Sequence, residues 1–445
     1  MSLFSKADQT KIQEAANKAN QTLQAPQVQT SSISSVNSKI DNMSNQVVQY
    51  FKDSEAILIT NEAELHEYVS NIIEAGVAGI DTETTGLDRI KDTIVGCSLY
   101  YPGGKECYIP NKHKSYVLDN VLKNQISYEI MGKELQRLVD AKVKLIFANA
   151  DYDLSMIYKD YGVDLLPVCF YDVILAWRCI KENEKDNSLK GLYSKYVLKG
   201  EGDPKKFSDF FSADLFPYCK PEIAKLYAAN DAKITYELYQ WQLPYITPNN
   251  PKCKAKQLES IASLVWNIEF PMMQVCQELH RCGIYLDKDV SNILRTRYNE
   301  KYEEELTKLR NMVKEVLDTT LIPTDKKQLI TSAEQFNPNS TPQVSYLVYD
   351  LLKVPVGKAG KTTDKEVLKG LNLPITNQIL SVRSLNTLIG TFVDKMPKSV
   401  AKDGRVHGTF KSIGANTGRM SSADPKQADW GLKIGLTQGR ATKVA

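Results

Sequence analysis

Residues 76–87 read GVAGIDTETTGL and place two acidic side chains, Asp81 and Glu83, at the end of a short apolar run. Such a run indicates a buried β-strand. Side chains of a strand alternate between its two faces, so carboxylates two residues apart point the same way and can share one divalent ion. The same D-x-E spacing recurs at 53–55 and 364–366, where a solvated surface explains it, so the pair alone does not establish a site.

Short apolar runs on both sides of this stretch alternate with helical patterns between about residues 55 and 245. These runs are AILIT (56–60), VAGIDTE (77–83), DTIVGCSLYY (92–101), ECYIP (106–110) and VKLIFAN (143–149). The alternation predicts an α/β domain built on a sheet.

A second acidic position follows another predicted strand. The segment VKLIFANADYDLSMIYKD (143–160) changes from a period of two to helical spacing at about Asn149. This places Asn149 and Asp153 one turn apart at the start of a helix. Asp151 is an alternative cap, which leaves Asp153 as an acid in the first turn.

A third segment, PEIAKLYAANDAKITYELYQWQL (221–243), has a strong helical pattern in which Tyr227 and Asp231 are four residues apart. Their side chains therefore project from one helix face, about one turn apart. The same spacing of Tyr and Asp occurs at 346–350, so this pair is also weak evidence by itself.

The ordered set of acids carries more information than any one pair. Four carboxylates brought together repel one another and cannot all ionise unless cations neutralise them. Two divalent metals ~4 Å apart do this and suit in-line displacement at phosphorus. The set therefore favours hydrolysis of a phosphodiester.

The segments IDTETTGL, FANADYD and YAANDA resemble the three motifs of the DEDDy group of 3′–5′ exonucleases, which have an RNase H-like fold with helices around a mixed sheet. The resemblance implies that two Mg²⁺ or Mn²⁺ ions are bound by Asp81, Glu83, Asp153 and Asp231. It implies that Tyr227, with Glu83, orients the attacking water, and that Asn149 lies near the terminal nucleotide of a single-stranded 3′ end. Asp172 resembles a further family position, although a helix cap explains it equally well.

The second half of the chain has a different residue pattern, which is mainly helical and basic. The segment LPYITPNNPK breaks two helical patterns and predicts a domain boundary at 246–247. A helix closed by Gly283 and a long helix over about 288–318 follow.

The two halves of the chain also differ in charge. Residues 246–445 carry 29 Lys and Arg against 20 Asp and Glu, and residues 1–245 carry 27 against 33. A basic half suits a polyanion.

Four segments of this half resemble the polymerase region of DNA polymerase I-like, family A enzymes. They are IEFPMMQVCQELHRCGIYLD (268–287), FNPNSTPQVSYLVYDLL (336–352), TDKEVLKGL (363–371) and DGRVHGTFKSIGANTGRMSSADP (403–425). With the exonuclease motifs, the resemblance covers most of 55–426. It implies a mainly helical thumb over much of 288–395 that grips primer–template duplex, and DNA contacts by Lys358, Lys361, His407 and Arg419.

The resemblance ends after Pro425. The last residues, KQADWGLKIGLTQGRATKVA (426–445), do not continue the family pattern, and no counterpart of the palm aspartates or of the fingers is present. We therefore expect a truncated, phage-like polymerase that cannot synthesise DNA alone. An intron or intein, a frameshift and a split gene completed by a separate palm and fingers fragment all remain open.

The expected domains are a flexible polar tail (1–50), the exonuclease (51–246), the start of the polymerase region (247–426) and an atypical C-terminal tail (427–445). With 42% hydrophobic and 24% charged residues and no long apolar stretch, the composition predicts a cytoplasmic protein, in the host cytoplasm if a phage encodes it. Eight scattered cysteines and four isolated histidines argue for reduced thiols and against zinc.

Three other interpretations compete with a DNA exonuclease. The chain could bind DNA for a separate palm fragment without cleaving it, or act on RNA in the manner of RNase D. The segment GKAGKT (357–362) resembles a phosphate-binding loop, but Pro355 stands where the first glycine belongs. A capping box of Thr363 and Glu366 at the start of a helix explains this segment better.

Overall fold

The computed structural model describes residues 30–423, except residues 90, 117, 182, 185, 203, 212–213, 321–327, 358–359 and 415–417. The chain divides into two compact units, Met1–Pro271 and Met272–Ala445. The expected C-terminal tail at 427–445 lies outside the described residues. No described helix combines the length and the apolar character that crossing a membrane requires. All eight cysteines are unpaired, as expected.

The first unit contains ten α-helices and six strands among its described residues. The helices are α1 (Thr30–Tyr50), α2 (Glu62–Ala75), α3 (Tyr128–Asp140), α4 (Ala150–Tyr161), α5 (Val173–Ile180), α6 (Leu189–Leu192), α7 (Phe207–Phe210), α8 (Pro221–Ile246), α9 (Pro251–Ala255) and α10 (Glu259–Leu264). The strands are β1 (Ile57–Leu58), β2 (Val77–Thr84), β3 (Ile94–Tyr100), β4 (Cys107–Pro110), β5 (Lys144–Phe147) and β6 (Cys169–Asp172).

The six strands form one mixed sheet in the order β1-β4-β3-β2-β5-β6. β2, β3 and β4 pair antiparallel, whereas β5 and β6 continue from β2 in parallel. β2 therefore lies at the junction of the antiparallel and parallel parts. The mixed sheet with flanking helices that the sequence predicts is confirmed.

Helix α8 packs directly on the middle of this sheet because β2 carries a glycine at the crossing point. A Cβ on Gly79 would lie 2.2 Å from the carbonyl oxygen of Ala232. Ser98 of β3 anchors the same helix by donating a hydrogen bond of 2.8 Å to the Ala228 carbonyl. Close packing at these two points brings the polar face of α8 to the acidic end of β2.

Part of the expected flexible tail is helical. Residues 1–29 lie outside the described range, but Thr30–Tyr50 form α1, which packs on α8. Val47 is fully buried in a cluster that also includes Tyr227, and Met43 and Phe51 pack against that cluster. These apolar side chains are sparse in a polar sequence, but they are spaced to face one side of a helix.

The first unit extends beyond the boundary expected at 246–247. Residues after this point contribute Cys253, Ala262 and Val265 to the core that contains Leu238 of α8. The Trp266 indole donates a hydrogen bond of 2.9 Å to the Ile246 carbonyl. The Pro/Asn-rich break is thus a turn inside the first unit, because apolar side chains beyond it return to the same core.

The second unit is mainly helical. Its elements are α11 (Phe270–Cys282), which begins at the end of the first unit, β7 (Ile284–Tyr285), α12 (Lys288–Thr319), α13 (Thr341–Ser345), α14 (Lys365–Leu371), α15 (Pro374–Leu388), β8 (Arg405–Val406), β9 (Thr409–Lys411) and β10 (Ser421–Ala423). The predicted helix stop is confirmed, since Gly283 has φ +62° and its N–H binds the Leu279 carbonyl. The predicted long helix corresponds to α12.

The core of this unit lies between α12 and α15. Leu309 and Val313 of α12 and Ile379 and Val382 of α15 are fully buried in it. The segment considered as a phosphate-binding loop is followed by α14, whose N-cap is Asp364 with no side-chain capping bond. The predicted capping box at Thr363 is therefore wrong, because the helix begins one residue later and Thr363 is buried.

Candidate active site

Three of the predicted acids converge at the end of β2. One carboxylate oxygen from each of Asp81, Glu83 and Asp231 lies within 4.8 Å of the other two. Alternation along β2 places Asp81 and Glu83 on the face that α8 covers, and the close contact at Gly79 brings Asp231 to the same place. Glu83 and Asp231 are buried, and Asp81 is half-buried.

Asp153 lies beside this group but is not one of the three. It is in the first turn of α4, buried, and its Oδ1 accepts a hydrogen bond from the Thr82 hydroxyl. Thr82 stands between the two acids of β2 and points to the other face of the strand. Asp153 is nevertheless close enough for its charge to raise the pKa of Asp81.

Burial and mutual repulsion dominate the electrostatics of this site. Burial raises the pKa of Glu83 to about 8, and the charges of Asp231 and Asp153 also raise it. Burial raises the pKa of Asp153 to about 7, against the hydrogen bond from Thr82. The pKa of Asp81 is raised well above its usual value for the same reasons. The acids thus favour a bound cation, which would relieve both the burial and the repulsion.

Tyr227 lies one turn before Asp231 on α8, with its ring enclosed by aromatic side chains. Phe211, Phe207 and Phe51 have ring centroids 5.5, 5.9 and 6.4 Å from that of Tyr227. Burial raises the pKa of Asp231, and the nearby Lys190 ammonium and Tyr227 hydroxyl oppose this shift. Burial and three nearby carboxylates raise the pKa of Tyr227, so the phenol keeps its proton and acts as a donor.

A lysine that the sequence analysis did not single out also enters the site. Lys190 belongs to the short helix α6 and is only 7% exposed. Its ammonium nitrogen lies 2.8 Å from Asp231 Oδ1 and 3.6 Å from the centroid of the Tyr227 ring. The motif SLKGL gives no signal for this role, because a lysine in a short amphipathic segment is usually solvated.

The donor set of the acids fits a hard divalent cation. All the ligand atoms are carboxylate oxygens, which Mg²⁺ and Mn²⁺ prefer. Asp231 Oδ1 is a buried oxygen without a well-directed hydrogen bond, since its contact with Lys190 is an ion pair only. This oxygen is therefore a candidate metal ligand. Asp81, Glu83 and Asp231 would hold the metal, with Asp153 beside them.

Asn149 and Asp172 shape the turn that leads into α4. Asn149 is the N-cap, has φ +65°, makes no side-chain capping bond and is exposed. Asp172 caps α5 and also accepts hydrogen bonds from the backbone of Asn149 and Ala150. The helix-cap interpretation of Asp172 is thus confirmed, and its carboxylate fixes the start of the helix that carries Asp153.

The predicted DNA contacts of the polymerase region lie in the second unit, apart from Lys358, which is outside the described residues. Lys361 pairs with Asp350 at 2.8 Å and remains 43% exposed. Both ring nitrogens of His407 are occupied, one by the His280 carbonyl and one by Asp403. Arg419 is exposed at the end of the loop that precedes β10. These residues stay candidates, and His407 is already engaged within its unit.

Comparison with known proteins agrees with this geometry. The family model described as 3'-5' exonuclease matches residues 56–242, and the model described as DNA polymerase family A matches residues 303–428. DNA polymerase I of Pseudomonas aeruginosa is 23% identical over 403 residues, covering 87% of this chain and 40% of that protein. The DNA polymerase of Escherichia phage T5 is 26% identical over 392 residues, covering 82% and 42%.

A solved structure extends the likeness to the fold. The POL domain of Pol1 from M. smegmatis, in complex with DNA primer-template and dNTP, has a TM-score of 0.55 and 18% identity, covering 82% of this chain and 54% of that one. The chain spans about two fifths of the length of the curated relatives it matches. On its two matched regions and these relatives, the chain belongs to the DNA polymerase I-like, family A DNA polymerases, with a 3′–5′ exonuclease region followed by part of the polymerase region.

Proposed function

We propose that the first unit is a metal-dependent 3′–5′ exonuclease of the proofreading type, which hydrolyses the terminal phosphodiester of a DNA strand. The observation that carries this proposal is the convergence of Asp81, Glu83 and Asp231 within 4.8 Å, with Asp153 and Tyr227 beside them. The match of residues 56–242 to the exonuclease family supports it.

Each side chain has a defined part in this reaction. Two Mg²⁺ or Mn²⁺ ions, held by the four acids, would neutralise the carboxylates and stabilise both the attacking and the leaving oxygen. Tyr227 keeps its proton and donates a hydrogen bond that orients the attacking water. Glu83 accepts a hydrogen bond from the same water, and together they fix its direction of attack. Asn149, exposed at the start of α4, contacts the terminal nucleotide.

The experiment measures cleavage of 5′-labelled single-stranded DNA and RNA with Mg²⁺ or Mn²⁺. The test variant is Asp81→Ala/Glu83→Ala. The matched control is Asp53→Ala/Glu55→Ala, which removes the same D-x-E spacing from exposed positions. We expect metal-dependent shortening of DNA from its 3′ end by the wild type and the control only.

The other interpretations predict different results. Preferential shortening of RNA would favour an RNase D-like activity. Binding of DNA without cleavage under any metal would favour a DNA-binding subunit and overturn the proposal. The relatives are DNA polymerases by name, which favours DNA over RNA as the proposed substrate.

We further propose that the second unit binds primer–template duplex through its basic surface, with Lys358, Lys361 and Arg419 as contacts. Its match to the family A polymerase region supports this. Since the family A match covers residues 303–428 only, we propose that nucleotide addition needs palm and fingers residues that lie outside this match. Primer extension by these 445 residues alone would contradict that part.

A further inference from the structure

Lys190 has an unusual position for a lysine, because it reaches the acidic site from outside all three exonuclease motifs. It is buried on α6, where the Ser188 side chain caps the helix by accepting a hydrogen bond from Gly191. An ammonium group taken out of water is costly unless it is paired. Its partners here are the Asp231 carboxylate at 2.8 Å and the face of the Tyr227 ring at 3.6 Å.

The charge of Lys190 acts on three of the four acids. It opposes the effects that raise the pKa of Asp81, Glu83 and Asp231. The ammonium is thus the cation that offsets the repulsion among these carboxylates while no metal is bound. This role differs from the ordinary surface ion pair, in which both groups remain solvated.

Lys190 contacts a carboxylate that also belongs to the candidate metal-binding group. Asp231 Oδ1 carries the contact with the ammonium and has no other hydrogen-bond partner among the described residues. A divalent ion that uses this oxygen must therefore displace the ammonium. The four-carbon stem of lysine allows such a movement without unfolding α6, and the Tyr227 ring offers a cation-binding face beside Asp231.

Resting on the proposed function, we propose that Lys190 is a displaceable counter-ion: it occupies the Asp231 carboxylate in the metal-free site, competes with the divalent ion for it, and moves away when the metal binds. Lys190 is therefore a positioning residue, which keeps the acids in place before metal arrives. The competition also sets an upper limit on metal affinity. Removing the positive charge should accordingly tighten metal binding, whereas a merely structural lysine would weaken binding on removal.

The test is a titration of each protein with Mn²⁺ alone, without nucleic acid, followed by calorimetry or by the Mn²⁺ resonance signal. We expect Lys190→Met and Lys190→Gln to bind Mn²⁺ roughly five- to tenfold more tightly than the wild type, the lower end of an ordinary coupling between two sites. Lys190→Arg keeps the charge and should show no gain. Lys195→Met, which removes an exposed lysine paired with Glu184, is the matched control and should bind like the wild type.

A second measurement distinguishes displacement of the Lys190 ammonium by the metal from a loss of folding in the variant. In EDTA, Lys190→Met should have a lower Tm than the wild type, and Mn²⁺ should raise its Tm by more than it raises that of the wild type. The Gln side chain can still reach Asp231, so Lys190→Gln tests the charge if the Met variant does not fold. Unchanged or weaker Mn²⁺ binding by the neutral variants would overturn the proposal. Because this titration involves no cleavage, its outcome is distinct from that of the Asp81→Ala/Glu83→Ala assay.

Discussion

The Thr82 hydroxyl donates a hydrogen bond to Oδ1 of Asp153, 71 residues further along the chain. Thr82 lies between Asp81 and Glu83, so one strand presents two acids to the face covered by α8 and a hydroxyl to the other face. That hydroxyl holds the fourth acid of the set beside the other three. The bond stabilises the charged form of Asp153, since it lowers a pKa that burial raises.

Replacing Thr82 with Val should therefore raise the pKa of Asp153 further. The metal-binding, ionised form would then need a higher pH, so we expect the pH dependence of cleavage to move upward and cleavage at pH 7 to fall by roughly tenfold. A pH–rate profile measures this. The matched control is Thr235→Val, a buried threonine whose hydroxyl has no hydrogen-bond partner in the described residues. Equal pH profiles for both variants would contradict the prediction.

Changing Tyr227 to Phe should slow hydrolysis by about a hundredfold, because the hydroxyl that directs the water is lost while the aromatic packing stays. The affinity for Mn²⁺ should remain nearly unchanged, since no metal ligand is removed. Rate and metal titration are measured on the same protein. Tyr239→Phe, in the same helix and also buried, is the control. A parallel loss of metal affinity would show that Tyr227 acts as part of the metal site.

The raised pKa values of the acids predict how stability depends on pH in the metal-free protein. The ordinary pKa of Glu83 is 4.5 and burial in the fold raises it to about 8. Between these values the unfolded chain loses the proton while the folded protein keeps it, so unfolding becomes more favourable. The Tm in EDTA should therefore fall as the pH rises from 5 to 8.

Saturating Mg²⁺ should remove most of that fall, because a bound cation stabilises the ionised acids. Calorimetric scans at several pH values, with EDTA or with Mg²⁺, check both statements. The Asp81→Ala/Glu83→Ala variant should show a flatter pH dependence in EDTA. A metal-free Tm that rises over the same range would contradict the assigned direction.

Gly79→Ala tests the contact that joins β2 to α8. The new methyl group would lie 2.2 Å from the Ala232 carbonyl, so helix and strand must separate. We expect a loss of about 1 to 3 kcal/mol in the free energy of unfolding, together with weaker metal binding as Asp231 moves away. Gly370→Ala, at an open helical position, should be neutral or stabilising. Denaturant unfolding and Mn²⁺ titration give the two readouts.

Local patterns predicted much of this site. The strand period placed Asp81 and Glu83 on one face, and the helix period aligned Tyr227 with Asp231, because both depend only on spacing along one element. The position of Asp153 could not be predicted so finely, since this residue of helix α4 is held by a hydrogen bond from Thr82 on β2. Lys190 gave no signal at all, because its burial results from the way α6 packs against α8 in the folded unit.

The domain boundary also depends on tertiary packing that local sequence patterns do not reveal. The break near residue 247 is visible in the sequence, but a Pro/Asn-rich turn inside a unit and one between units look alike in sequence. Only the return of Val265 and its neighbours to the first core distinguishes them. Likewise, the few apolar residues of α1 predict a packed helix only when the cluster that they contact is known.

Helix α1 also bears on how the protein is best shortened for experiments. The match to the exonuclease family begins at residue 56, which invites a cut immediately before it. Such a cut would remove Val47 from the buried cluster that contains Tyr227, and Phe51 from the rings around that tyrosine, and would expose one side of Tyr227 to solvent. If a fragment made in this way is inactive, the cause is the lost packing around Tyr227, because the catalytic acids themselves are intact.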